Sequence, residues 1–434
     1  MKAVNPPNLK DILSENFDEI AQYLPHAKPT DHKGRYLPWV EFKHRYKRPE
    51  IEWAAVKLAR QAIAQPLPLA ATDGQPFSYA VPESFQPYLH TIDRLAAPLL
   101  AERKQDSALF FAQSLIEESI SSAQMEGAST TRQAAKNMLE NERQPVNEHE
   151  RMVFNNYALM QYAKAQIEQP LSLELIKSFH RLAVNETENP YVEAGAFRSD
   201  NNIFVQDADG HIVHQPPPFE QIGTRLQALC DFANTDHTAA DHFIHPAIKA
   251  VILHFMMGYE HPFSDGNGRT ARALFYWFML KQGYAAFEYI SISRLLKQAP
   301  TQYGLSYLYS ETDGNDTTYF IDYQLRIISR AIAAFSDHIE ERQRHHADML
   351  QWLLQTKEGR NLNARQADIL SKAIKHTGRA FTVKEIMHDY QISTNTAKTD
   401  LRGLAAIKAL AEVKQGREML FIAMPDIAER LKAA

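Results

Sequence analysis

Residues His261-Pro262-Phe263-Ser264-Asp265-Gly266-Asn267-Gly268-Arg269-Thr270-Ala271-Arg272 concentrate polar chemistry in an otherwise apolar part of the chain. His261 is the group here that takes a proton near neutral pH. Gly266 and Gly268 allow backbone turns that a Cβ forbids. Amides released by such a loop beside a helix N-terminus form an anion site. Arg269 and Arg272 add fixed positive charge in a shape suited to phosphate. Asp265 is a hard oxygen donor able to hold a magnesium ion next to those phosphates. A base, a metal ligand, an anion cradle and two arginines together describe phosphate-ester transfer. The bland alternative is a helix-connecting loop with a core-facing histidine.

Two helices must hold this loop. Ile248, Val251, Ile252 and Phe255 before it, and Ala273, Phe275, Phe278 and Met279 after it, carry helical spacing. The pattern predicts helices over about 246–259 and 271–282, with the polar stretch pinned between them.

The stretch resembles the signature of Fic proteins, His-Pro-Phe-x-Asp/Glu-Gly-Asn-Gly-Arg-x-x-Arg, at every defined position from His261 to Arg272. Most Fic enzymes move AMP from ATP onto a protein hydroxyl. The resemblance implies His261 as the base and Gly266, Asn267, Gly268, Arg269, Thr270, Ala271 and Arg272 as phosphate and ATP contacts, with Asp265 holding Mg2+. Phosphate transfer, as in the Doc branch, fits less well, because Gly268 precedes Arg269 where that branch has lysine.

Upstream, Glu126-Gly127 ends an apolar helix expected from about residue 106, and alone Glu126 reads as an ordinary helix-end acid. Beside the signature, Ser122 to Gly127 resembles the family's inhibitory motif, Ser/Thr-x-x-x-Glu-Gly/Asn. That implies a pairing of Glu126 with Arg272 that takes the place of the γ-phosphate, with Ser122 one turn earlier facing the same cleft. The motif precedes the signature, which implies the self-inhibited class with an N-terminal inhibitory helix.

Two short extended runs, Asn202-Ile203-Phe204-Val205 and His211-Ile212-Val213-His214, flank an Asp-Gly turn and predict a β-hairpin. In Fic proteins this hairpin is the flap that grips a target by strand addition. Gly195 and Arg198 match the pattern before it, and Pro216-Pro217-Pro218 the proline-rich exit. Tyr303 matches the first of a family tyrosine pair, but Gly304 stands at the second. Glu311 stands where relatives often use an asparagine for the adenine. His242, His245 and His254 lack the i, i+4 spacing of a zinc helix and read as structural.

The chain has 434 residues, 44% of them hydrophobic, and a net charge of −5, enough for two or three domains with a real core. Residues 1–105 are proline-dotted and read as a leader packing on the following domain. Residues 106–345 read as a mainly α Fic helical core with its hairpin (174–285 at its centre). From about 361 the chain carries twelve Lys+Arg against eight Asp+Glu, a surplus of +4. Its helices and hairpin predict a winged helix-turn-helix, with Asn395, Thr396, Lys398 and Thr399 on the recognition face. DNA contact and protein contact weigh equally there, and a homodimer stays open. One cysteine, Cys230, excludes an internal disulfide, and no apolar run reaches membrane length. A cytoplasmic protein that modifies a Ser, Thr or Tyr hydroxyl, on a partner or on itself, is the expectation. Its rivals are removal of AMP by the same residues, and a DNA-binding regulator whose core only senses nucleotide.

Overall fold

The computed structural model describes residues 4–96, 107–207, 209–239, 242–355, 357–375, 378–415, 418–424 and 427. The fold is mainly helical with small antiparallel sheets, and the chain forms two compact units, Met1–Ala333 and Ala334–Ala434.

The first unit opens with helices α1 (Leu9–Tyr23), α2 (Trp39–Phe42) and α3 (Pro49–Gln61), a hairpin of β1 (Gln65–Ala70) and β2 (Pro76–Tyr79), and α4 (Gln86–Ala96). Asn8 caps α1 by accepting from the Lys10 amide. Helix α1 and strand β1 were not apparent in the proline-dotted sequence. Buried polar bonds bind this segment to the rest of the unit. The Arg60 guanidinium stacks 3.7 Å from the Tyr36 ring and donates to Tyr319 Oη at 2.7 Å. Tyr36 Oη donates to Asp316 at 2.6 Å, and Ser78 exchanges backbone bonds with Asn315 and Thr317. The expected boundary at 105 lies outside the described residues.

Then come α5 (Ser107–Met125), α6 (Arg132–Glu140), α7 (Glu148–Ala165), α8 (Leu173–Ala183), the hairpin β3 (Val205–Gln206) and β4 (Ile212–His214), and α9 (Ile222–Asn234). Side chains of Thr131, Asn147 and Ser172 cap α6, α7 and α8. Helix α10 (Pro246–Glu260) and α11 (Asn267–Lys281) form the centre. They are buried nearly all round, since α11 packs against α5, α7, α8 and α10, and α10 also meets α9. Burial of side chains such as Phe255 and Leu274, both fully buried, stabilises the pair by about 2 kcal/mol each. Helices α12 (Ser293–Leu296), α13 (Pro300–Thr312) and α14 (Thr318–Gln355) follow.

The second unit holds α15 (Lys357–Arg360), α16 (Ala364–Lys375), β5 (Ala380–Thr382), α17 (Val383–Tyr390), α18 (Thr394–Ala406), β6 (Leu410–Gln415) and β7 (Glu418–Ala423). The strands form an antiparallel sheet in the order β5-β7-β6. Thr382 and Glu385 form a capping box at α17, and Ser393 caps α18. Ile369, Leu370, Phe381, Ile386, Leu401 and Phe421 make its core. Strand β5 was not foreseen; Asn395, Lys398 and Thr399 are exposed on α18.

Two sequence expectations change. Helix α11 begins at Asn267, not near 271, so Gly268 and Arg269 lie in its first turn. Gly266, at φ 77°, turns the chain into the helix at a conformation a Cβ disfavours. The expected strand 202–205 is shorter: only Val205 pairs, opposite His214, and the register shifts between Val205 and Gln206. Side chains compete for the backbone before it, since Asp200 accepts from the Asn202 amide and Gln215 donates to the Ile203 carbonyl.

Candidate active site

His261 ends α10 in the left-handed region, at φ 43°, strained for a residue with a Cβ. Its Nδ1 lies 3.3 Å from the Gly258 carbonyl, which can only accept, so Nδ1 carries the hydrogen and Nε2 keeps its lone pair. Burial, the charge of His214 and that of Arg198 push the ring down to about 4, against the pull of Gly258 and Glu126. At neutral pH this imidazole is an uncharged base.

The loop after it is locked from within. Asn267 Oδ1 accepts from the Phe263 amide at 3.0 Å, and Nδ2 donates to the Phe263 carbonyl at 2.8 Å. Phe263 stacks on His180, with ring centroids 3.7 Å apart and planes 4° apart. His180 Nε2 reaches the Asp265 carbonyl at 3.0 Å, and its Nδ1 accepts from the Gly195 amide. Burial is the largest influence holding His180 down at about 4. A Cβ at Gly266 would meet Val184 Cγ1 at 2.8 Å. Loop, α8 and the approach to the hairpin thus interlock, and Arg198 adds a clamp: it donates to the His261 carbonyl at 3.0 Å and to the Pro217 carbonyl.

The anion cradle is the first turn of α11. The Thr270 amide already donates to the Gly266 carbonyl, whereas the amides of Asn267, Gly268 and Arg269 precede the first helical bond. Three residues expected to contact nucleotide play another part. The Asn267 side chain spends both polar atoms on Phe263. Thr270 Oγ1 donates to the Gly266 carbonyl at 2.9 Å, and Ala271 is buried. These side chains brace the turn, and Asn267 offers only its amide. Arg269 is buried and donates to the Ala183 carbonyl at 2.5 Å; its Nε has no partner among the described residues. Such an orphaned buried donor beside free amides suits an anion.

Glu126 stands beside this turn. Arg272 Nη2 donates to Glu126 Oε1 at 2.8 Å and to the Ser122 carbonyl at 3.0 Å, while its Nε donates to Ser122 Oγ at 2.8 Å. A methyl at Gly268 would sit 2.3 Å from Glu126 Oε1. Burial raises the Glu126 carboxyl, but the charges of Arg272 and Arg269 and the hydrogen bond from Arg272 outweigh it and hold it below the usual range.

Asp265 is partly exposed, with Oδ1 accepting from the Gly266 amide at 2.5 Å and Oδ2 3.4 Å from Arg269. Another possible metal group is elsewhere: Asp207, Asp209 and His211, at the hairpin turn, bring ligand atoms within 4.8 Å of one another. His245 caps α10 and reaches Asp93, while His254 is buried against Tyr303 at 2.9 Å. Cys230 is buried, and burial pushes its thiol up to about 12. No described helix is long and apolar enough to cross a membrane.

His180 and Glu118 were missed in the sequence. His180 lies on the buried stripe Ile176, Phe179, His180 and Ala183 of α8, which helical spacing could have flagged. Glu118, buried on α5, accepts from Tyr276 Oη at 2.9 Å, Ser291 Oγ at 2.8 Å, the Ser293 amide at 3.1 Å and Ser293 Oγ. No local signal marks it.

Residues 170–279 match the Fic/DOC family profile. Over 204 residues the chain is 28% identical to "Protein adenylyltransferase Fic" of Drosophila willistoni, covering 45% of this chain and 38% of that protein. Over 141 residues it is 30% identical to the protein of that name in Drosophila virilis, covering 32% and 26%. The chain thus spans little more than a third of these relatives' length at most. A Fic family protein of Desulfovibrio desulfuricans superposes with a TM-score of 0.56 at 15% identity, over 80% of this chain and 97% of that one. A Fic-1 segment from C. elegans does so with a TM-score of 0.51 at 17% identity, over 78% and 90%. Residues 170–279, which contain His261, the first turn of α11, Arg269 and Arg272, carry the match to the Fic/DOC family.

Proposed function

We propose that this protein transfers AMP from ATP to a hydroxyl side chain of a protein, and that Glu126 keeps the resting site closed. One observation carries the reading: Glu126 Oε1 accepts from Arg272 at 2.8 Å and lies where a methyl on Gly268 would meet it, so the carboxylate stands beside the first turn of α11 and its arginine. The names of the curated relatives support the same chemistry.

In this reading the lone pair of His261 Nε2 takes the proton of the target hydroxyl. The freed oxygen attacks the α-phosphorus of ATP, and pyrophosphate leaves in line. The amides of Asn267, Gly268 and Arg269 meet the negative charge that grows on the phosphate oxygens. Arg272, released from Glu126, takes the γ-phosphate. Asp265 fits a magnesium ion, since it presents one partly exposed carboxylate beside the cradle and such ions take one or two carboxylates plus phosphates. Bound there, the ion would neutralise phosphate charge. The backbone of Asn202-Ile203-Phe204, continued by Val205, receives the target as an added strand once Asp200 and Gln215 release the Asn202 amide and the Ile203 carbonyl, and exposed Phe204 and Ile212 flank it.

The test is mass spectrometry of protein incubated with ATP and magnesium, using the unaltered chain and E126G, alone and with candidate targets. Added AMP on a Ser, Thr or Tyr that vanishes with H261A supports the reading. ATP binding by E126G without any transfer sinks it. Removal of AMP is the second reading, favoured by Glu126 standing within the site where it would orient a water; a pre-modified target losing AMP decides for it. For the C-terminal unit we infer a winged helix that contacts DNA or protein through α18. A DNA shift assay across salt separates the two.

A further inference from the structure

Strand β4, the last turn of α10 and helix α13 meet at the ring of His214. Its Nε2 lies 2.7 Å from the Tyr259 carbonyl oxygen, and its Nδ1 lies 2.7 Å from Glu311 Oε2. A carbonyl and a carboxylate only accept, so both ring nitrogens carry hydrogen and the ring is an imidazolium. It is only 8% exposed, and it leans on the Tyr259 ring at a centroid distance of 5.0 Å. Glu311, the departure from the family's adenine asparagine, is thereby committed to the hairpin.

We propose that His214 is the positioning residue of the hairpin: clamped between Glu311 and the Tyr259 carbonyl, it fixes the edge at Asn202–Val205 beside His261. The proposal rests on the reading of that edge as the surface that receives a target. The lever is short. His214 pairs with Val205 across the hairpin, and Tyr259 stands two residues before His261. Arg198 clamps the other end, through the Pro217 and His261 carbonyls. Among the described residues, the strand pairing left to β4 without the His214 clamp is its short ladder to β3.

The groups facing the ring are Glu311 from α13, Tyr259 and Glu260 from α10, His261 beyond them, and Arg198 across the hairpin base. Glu260 is itself paired to Arg225 of α9 at 2.7 Å. Burial lowers the His214 ring, but Glu311, the Tyr259 carbonyl and Glu260 outweigh it and hold the ring above its ordinary value. A folded value above the unfolded one means the clamp is complete below about pH 6.5 and is lost as pH rises through the raised value.

The experiment uses the full chain with 15N-labelled histidine, following ring nitrogens and hairpin amide exchange from pH 6 to 9. At pH 7 both His214 nitrogens should show imidazolium shifts, and protection of Val205–Gln206 and Ile212–His214 should fall as that ring titrates. In E311Q the fall should move to lower pH, with hairpin exchange about tenfold faster at pH 7 and exchange in α7 unchanged. A neutral His214 at pH 7 in the unaltered protein overturns the proposal, whether or not the variant folds. So does hairpin protection in E311Q that matches the unaltered protein at every pH. None of these readouts needs AMP transfer, so failure of the activity reading and failure of the clamp are told apart.

Discussion

Arg272 and Glu126 form an ion pair at 2.8 Å, with the guanidinium buried and the carboxylate side chain 26% exposed. The pair joins α5 to the first turns of α11, and Ser122 takes two more hydrogens of the same guanidinium through Oγ and its carbonyl. In the proposed reading, an anion that uses this face of Arg272 competes with the carboxylate.

E126G should therefore raise ATP affinity about tenfold, the order expected when a charge-assisted bond of roughly 1.5–3 kcal/mol no longer competes for Arg272. Calorimetric titration of ATP with magnesium checks it. Unchanged or weaker affinity in the variant would remove Glu126 from any inhibitory part. S122A, which leaves the ion pair in place, should give a smaller gain.

His261 titrates near 4 in the folded protein, so the base is already deprotonated across the neutral range. Transfer by E126G should be flat from pH 6 to 8 and decline only as pH drops toward 4. An unperturbed histidine would decline near pH 6.5. H261A should lower the transfer rate by about a hundredfold or more. The pH profile of initial rates, taken at saturating ATP, discriminates.

Glu118 holds α5 against α11 and α12 by accepting from Tyr276, Ser291 and Ser293. E118A leaves those donors without their acceptor and should cost about 3 kcal/mol of stability. It should also loosen the helix that carries Glu126. Thermal unfolding with and without ATP reads both effects: a lower midpoint, and a larger rise on adding ATP than in the unaltered protein.

Gly266 sits at φ 77°, and a Cβ there would press 2.8 Å from Val184 Cγ1. G266A combines backbone strain with overpacking and should destabilise by about 2 kcal/mol. It should also misdirect the first-turn amides of α11. ATP binding in an E126G background should then fall, while G283A, a left-handed glycine with open space around it, should leave ATP binding alone.

The sequence by itself determined what is local. Helical spacing located α10 to within a residue or so, because the periodic burial that makes a helix is written in consecutive residues. The glycines and arginines of the signature announced an anion cradle, since backbone freedom and fixed charge belong to residue type. Tertiary structure decided which partners each residue keeps. Glu126 reaches Arg272 across 146 positions, and His214 reaches Glu311 across 97. The first meeting is implied by the resemblance of Ser122 to Gly127 to the family's inhibitory motif; nothing within a few residues of His214 encodes the second, which depends on how β4, α10 and α13 pack. Packing also turned Asn267 and Thr270 inward as braces and carried α11 back to Asn267, because a buried turn must satisfy its own polar groups before it can serve a ligand.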